Sequence, residues 1–335
     1  MKIWLPYIKG GSGTDTFTER LAESLASAGH QAILSEYPHW LQYAPWLLKK
    51  ISPPGNCDVI LTNSWNGFAF KRQNIPLFSV EHLFVLDPAL TPYKSILQSI
   101  FHKTFVRGFE HLSNQASDKI IAVSHYTANV YREYFGGDTP TVISNGIDID
   151  FFCPPPSKIS EDKRFRLLFA GNLIRRKGAD LLPEIMERLG NEFVLYFTSG
   201  RKKNGKRNFP ENMVPLGKID RHEMREQYQK ADLLLFPSRL EGLPLVVLEA
   251  MACGTPVISH ESASLPEIIN QNTNGYMCPR DSIDCFITKI KELKSQPDKL
   301  AYLALESRKK IISEFTQNNM TKKYIDEFNE FIINE

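Results

Sequence analysis

Three consecutive prolines, Pro154, Pro155 and Pro156, interrupt the chain near its midpoint. Proline has no backbone N–H and a fixed φ, so neither helix nor interior strand continues through such a run, which reads as a stiff linker. On both sides short apolar runs alternate with longer helical stretches. Before the prolines, strands are expected near 2–8, 31–36, 58–63, 75–81, 119–124 and 141–144, with helices near 14–28, 40–50, 91–115 and 125–135. After them, strands are expected near 165–170, 192–198, 232–236 and 256–259, with helices near 179–189, 221–230, 244–253 and 264–269. Such alternation predicts two α/β domains, each a parallel sheet with helices on both faces. Residues 282–334 read as helical.

A chain of 335 residues with 42% apolar content is long enough for two cores. A net charge of +2 argues neither for nor against an anionic partner, whereas the single basic run with only one aromatic nearby argues against nucleic acid. Five cysteines without a C-x-x-C pair suggest neither a zinc site nor a disulfide framework. The first residues read straight into a strand, without a signal-peptide pattern, and no apolar run reaches the ~18 residues of a membrane span. A cytoplasmic, soluble protein is the expectation.

Glu241 and Glu249 stand eight positions apart, and Glu249 is the only charged residue between Gly242 and Ile258. Pro244 suits the start of a helix and Gly254 its end. That helix is apolar all round, so it is expected to be buried with Glu249 in it. Burying a bare carboxylate is costly, so a partner must stand against it. The two carboxylates, near the open N-terminus of a buried helix, suit a hydroxyl-rich ligand that also carries negative charge.

Lys9-Gly-Gly-Ser-Gly-Thr14 follows the first strand and opens a helix, a place where backbone can approach an anion. A tight structural turn explains it equally well. Asn172 and the cations Arg175, Arg176 and Lys177 occupy the equivalent turn of the second half, where Arg and Lys can clamp a diphosphate. His82 lies at the end of a strand and could hydrogen-bond a sugar, or be an ordinary core histidine. The basic run Arg201–Arg207 reads as solvated loop, with an anionic ligand as the minority reading. Ile96, Leu97, Ile100, Phe101, Phe105 and Phe109 share one helical face, for which core packing is favoured over a membrane surface. Tyr37, Trp40, Tyr43 and Trp46 could stack on sugars or pack as a helix.

Taken together these stretches resemble the family-4 retaining glycosyltransferases of GT-B fold. The resemblance rests on the E-x7-E pattern Glu241–Glu249, on Gly-x-Leu-x-x-x-Lys-Gly at 171–178, on the early glycine turn, and on Ser117–Ser124 leading to Val142–Asp148. It implies two Rossmann-like domains facing each other across a deep cleft: an acceptor domain at 1–150, a nucleotide-sugar domain at 151–315, and a C-terminal helix at 316–335 returning to the first domain. It implies Glu249 on the ribose, Glu241 and His82 at the donor sugar, and Lys177 on the diphosphate. Backbone groups around Gly11, Leu243, Pro244 and Leu245 complete the diphosphate cradle, and Leu216 lies beside the base. Where the family commonly has Arg after the glycine, this chain has Asn172, so either Arg175 or Arg176 is the second clamp or diphosphate binding is weaker.

The implied reaction is retaining, metal-independent transfer of a hexose-type sugar from a nucleoside-diphosphate sugar, UDP-sugar favoured, to a glycan or glycolipid acceptor. No tightly bound cofactor is expected. Lipopolysaccharide or another surface polysaccharide is the expected product, with peripheral contact at the inner face of the inner membrane left open. Two rivals remain: a nucleotide-sugar epimerase, for which only Glu81 and Asp87 offer first-domain acid–base groups, and a non-catalytic sugar-nucleotide-binding partner protein.

Overall fold

The computed structural model describes residues 1–11, 13–157, 163–198 and 209–334; the basic run 201–207 and Ser12 lie outside them. The chain divides into two compact units, Met1–Gly146 with Gln317–Glu335, and Ile147–Thr316.

The first unit holds a parallel sheet of β1 (Lys2–Ile8), β2 (Gln31–Tyr37), β3 (Val59–Asn63), β4 (Leu77–Glu81), β5 (Lys119–Ala122) and β6 (Thr141–Val142), in the order β2-β1-β3-β4-β5-β6. Helices cover the sheet, so Ile3, Trp4, Val59, Ile60, Leu77 and Phe78 are all completely buried. The helix Gln317–Asn334 belongs to this unit because Met320, Tyr324 and Phe328 recur every four residues and are buried on one face. Phe328 meets Phe78 edge-on at 4.9 Å, Thr321 Oγ1 donates to Ser24 Oγ at 2.6 Å, and the Gln317 amide donates to the Arg20 carbonyl at 2.9 Å.

The second unit holds β7 (Phe165–Phe169), β8 (Phe193–Thr198), β9 (Met213–Gly217), β10 (Leu233–Phe236), β11 (Val257–His260) and β12 (Gly275–Cys278), ordered β12-β11-β10-β7-β8-β9. Its strands pair in parallel, with Leu233 and Leu234 beside Leu167 and Leu168. This is the doubly wound arrangement in which the strand order reverses between the first and fourth strands, here β7 and β10. Ligands of open α/β sheets bind at the carboxyl ends of the strands flanking that reversal.

Three expectations about the elements need correction. The helix expected over 40–50 is two 3-10 turns, His39–Tyr43 and Pro45–Lys50, because Pro45 cannot donate to a continuing helix. The helix expected over 91–115 is broken into a 3-10 turn Pro88–Tyr93, a helix Ile96–Phe101, a π-helical turn His102–Val106 and a helix Arg107–Ala116. Pro92 sits in the first piece, and Ser95 restarts the chain with a reciprocal Ser95–Gln98 capping box. Of the apolar face expected to pack there only Phe109 is buried and Phe101 is half-buried, whereas Ile96, Leu97, Ile100 and Phe105 are exposed. β12 was not expected, being four residues with Gly275 at its head, a position where a Cβ would stand 2.6 Å from the Val257 carbonyl oxygen.

Candidate active site

Two loops meet at the reversal point of the second sheet. After β7 the chain turns through Gly171 and the 3-10 turn Arg175–Lys177 to Gly178, at φ +70°. After β10 it runs through Pro237–Leu243 to the buried helix Leu245–Ala252. The Arg239 N–H donates to the Arg176 carbonyl at 2.9 Å, and the Arg176 guanidinium donates to the Leu240 carbonyl. The Arg239 guanidinium, 5% exposed, donates to the Arg175 carbonyl and pairs with Asp180 at 2.7 Å and Asp281 at 2.6 Å. Arg239 thus staples one loop to the other. Sequence reasoning passed over it, since nothing in the local pattern distinguishes it from a solvated arginine.

Glu241 lies in the seam. Its Oε2 is 3.1 Å from Arg176 Nη1, its Oε1 is 3.4 Å from Lys177 Nζ, and Oε1 accepts from Ser238 Oγ at 2.8 Å. Burial alone raises its pKa, but the charges of Arg176 and Lys177 and the Ser238 hydroxyl outweigh burial and hold it at about 2. The Lys177 chain packs where a Cβ of Gly171 would be, 3.0 Å from its Cδ, and reaches the Phe236 ring at 5.6 Å. Arg175 and Asn172, by contrast, are exposed. Of the two arginines left open by the sequence, Arg176 is the one gathered with Lys177 on the carboxylate.

Glu249, 6% exposed, is one turn into the apolar helix, and its Oε2 accepts from Tyr228 Oη at 2.9 Å. The partner the sequence required therefore includes a phenol on the helix Arg221–Lys230, where only a polar tip betrays an otherwise buried residue. Leu243 and Pro244 are buried ahead of the helix and Leu245 is half-buried; Leu216 is half-buried on β9, the edge strand.

Gly11 and His82 belong to the first unit. The Gly10 N–H donates to Asp15 Oδ1 at 3.1 Å and the Gly11 N–H to Asp15 Oδ2, so the glycine turn is closed by its own helix. His82 directly follows β4, packs edge-on to Phe17 at 4.6 Å and shares a 3.1 Å hydrogen bond with Asn63 Oδ1. Burial pushes its pKa down to about 4, so the ring is neutral at physiological pH. At the ends of β1 and β3 a cavity of about 170 Å³ is lined by Asp15, Gln42, Asn63, Trp65 and Asn66 among others. Trp65 Nε1 and Asn66 Oδ1 are buried and lack a hydrogen-bond partner among the described residues.

The acid–base groups an epimerase would need are occupied structurally. Asp87 caps a 3-10 turn, accepting from the Ala89 N–H at 2.7 Å and from Tyr126 Oη at 2.6 Å. Glu81, 3% exposed, accepts from Ser64 Oγ at 2.7 Å; burial raises it to about 7, beside a Glu110 that burial and then Glu81 hold well above the usual carboxylate range. Both folded values lie above the ordinary 4.5, so the native state holds its protons more tightly than the unfolded chain does. The part of this stability tied to Glu81 is complete below pH 4.5 and is lost as pH rises through about 7, and Glu110 extends the loss in the same direction. Urea titrations of wild type and Glu110→Gln across that range are expected to converge at low pH and diverge at high pH, the variant being the flatter. Parallel curves would show that the pair does not share this proton chemistry.

Comparison with known proteins agrees with this architecture. Residues 33–151 match the model of the family Glycosyltransferase Family 4, and residues 155–312 that of Glycosyl transferases group 1. A GDP-mannose-dependent alpha-(1-6)-phosphatidylinositol monomannoside mannosyltransferase of Mycobacterium tuberculosis is 27% identical over 63% of this chain and 61% of its own length. A D-inositol 3-phosphate glycosyltransferase of Xylanimonas cellulosilytica is 28% identical over 66% of this chain and 59% of its own. The match thus spans about six-tenths of such relatives' length. Among solved structures, sucrose-phosphate synthase from Thermosynechococcus elongatus superposes with a TM-score of 0.83 over 100% of both chains at 17% identity. Anabaena HepE in complex with UDP superposes with a TM-score of 0.76 over 98% of this chain and 100% of its own, at 17% identity. Its two α/β units and its structural neighbours give the chain the GT-B fold, and its two halves are similar to the models of Glycosyltransferase Family 4 and Glycosyl transferases group 1.

Proposed function

We propose that the protein transfers a hexose-type sugar, with retention of configuration, from a nucleoside-diphosphate sugar to a glycan or glycolipid acceptor in surface-polysaccharide or lipopolysaccharide synthesis. The observation that carries this is the pair of cations, Arg176 and Lys177, gathered on one buried carboxylate at the reversal point of the second sheet. Such a pair can neutralise a diphosphate as it leaves, without calling on a metal for that charge. The C1–O bond to the diphosphate breaks, the acceptor oxygen attacks from the same face, and its proton passes to the departing phosphate oxygen. Glu241 is assigned to the donor sugar and Glu249 to the ribose hydroxyls, with backbone groups around Leu243, Pro244 and Leu245 toward the diphosphate and Leu216 beside the base. His82, neutral at its strand end, is assigned a hydrogen bond to the sugar. Gly11 can join the diphosphate cradle only by giving up its bond to Asp15.

UDP is the favoured nucleotide, supported by a neighbour such as HepE, solved with UDP-glucose. GDP is the alternative, since the mannosyltransferase relatives are named for GDP-mannose. Calorimetric titration with UDP-, GDP- and ADP-sugars decides between them, and the absence of binding by all three would sink the proposal. Glu249→Ala is expected to weaken the favoured donor about tenfold to a hundredfold, the loss of hydrogen bonds to a charged acceptor.

A further inference from the structure

The first unit carries an apolar surface that the fold leaves uncovered. Trp40, Tyr43, Trp46 and Leu47 are 43–56% exposed on the paired 3-10 turns, and Ile96, Leu97, Ile100 and Phe105 are 55–81% exposed on the broken helix. The Tyr43 and Phe101 rings, 5.4 Å apart, join the two segments into one face. Eight large apolar side chains held in water on adjoining elements are a docking surface, not scattered exposure.

The charges around it identify the occupant. Lys49, Lys50, Lys103 and Arg107 are exposed on the same segments, while neither 38–57 nor 88–109 contains a single Asp or Glu. A second copy of the chain would set this cationic face against its own like, with no carboxylate on these segments to offset the repulsion. Trp and Tyr beside Ile and Leu, edged by Lys and Arg, match instead the interfacial zone of a bilayer with anionic headgroups.

We propose that this face docks the protein on an anionic membrane and thereby brings a lipid-borne acceptor to the polar cavity beside it. His39 and Gln42, from the turn that carries Trp40 and Tyr43, also line that cavity with Asn63, Trp65 and Asn66. Polar groups at the foot of a membrane-resting face fit the headgroup of an amphiphile whose tail stays in the bilayer. The acceptor part rests on the transferase reading; the docking part stands without it.

Flotation with vesicles of phosphatidylcholine alone, and of phosphatidylcholine mixed with phosphatidylglycerol, tests the docking. The full chain is expected to float with the mixed vesicles, less as salt rises, and far less with the neutral ones. Trp40→Ser/Trp46→Ser/Ile96→Ser/Leu97→Ser is expected to lose at least about tenfold in partitioning while keeping its circular dichroism melt and its UDP titration. Lys49→Glu/Lys50→Glu, which leaves the apolar face intact, is expected to lose the preference for anionic vesicles. Wild type that floats with neither vesicle, a quadruple variant that floats as well as wild type, or a concentration-dependent dimer abolished by the quadruple variant would each overturn docking. Failure of wild type to bind UDP-, GDP- and ADP-sugars alike, with flotation intact, would strike the transferase reading alone. To test the acceptor part, sugar transfer to glucosyl diacylglycerol in mixed vesicles is compared with transfer to methyl glucoside in solution. Equal rates on the two, or no fall with the quadruple variant, would overturn it.

Discussion

Glu241→Gln is expected to lower turnover about 100- to 1,000-fold while UDP binding is kept or tightened. In the free protein the two cations proposed to meet the diphosphate, Arg176 and Lys177, are already satisfied internally, because both lean on Glu241. On the proposed reading an incoming diphosphate replaces Glu241 as their counter-ion, which frees the carboxylate to turn to the sugar. Gln has nearly the same shape and can still accept from Ser238 but carries no charge, so it stops competing for the cations and also stops stabilising positive charge on the reacting sugar. Calorimetry of UDP and turnover with the donor, measured on one preparation, separate the two effects. If UDP affinity falls in step with turnover, Glu241 holds the loops together and does nothing more specific. The same ion pair has a pH signature. Its folded value of about 2 lies below the ordinary 4.5, so it contributes stability above pH 4.5 and loses it as pH falls toward 2.

Gly178→Ala is expected to destabilise the second unit by about 2–5 kcal/mol and to abolish measurable donor binding with it. Two costs combine. The residue sits at φ +70°, where an L side chain is strained, and its new Cβ would lie 2.0 Å from the Pro237 carbonyl oxygen. That atom is backbone, so relief requires the β7 loop to move off the β10 loop, pulling Arg176 and Lys177 away from Glu241. Thermal melts and UDP titration of Gly178→Ala against Gly190→Ala make the comparison fair. Gly190 also has positive φ, at +79°, but nothing lies within 4 Å of its added Cβ. Equal losses in the two variants would mean that loop apposition contributes nothing beyond backbone strain.

Much of this was legible in the sequence because it is written in short periods. An apolar run such as Leu233–Phe236 reads as a buried parallel strand since both faces are covered. A charge isolated in apolar surroundings, as at Glu249, announces its own burial. What was not legible depends on contacts distant in sequence. Tyr228 meets Glu249 from 21 residues away, and Arg239 meets Asp180 from 59. Which arginine turns toward Glu241 depends on its place in the three-residue turn Arg175–Lys177, not on composition. The face 96–105 misled for another reason: helical periodicity reports that apolar side chains share a side, but not that anything packs against it.

The helix Gln317–Asn334 has a consequence for how the chain is made. It covers Phe78 and lies against Phe17 of the first unit, yet is synthesised only after all of Ile147–Thr316. During translation the second unit has every one of its strands before the first has its final layer. The ends of the second unit also meet, Ile147 pairing with Thr316 and its N–H bonding the Phe315 carbonyl at 2.8 Å, so it closes on itself as an insert. The first unit therefore begins to emerge before the second yet finishes folding after it, and until then its Phe78 face is a surface for chaperones to guard.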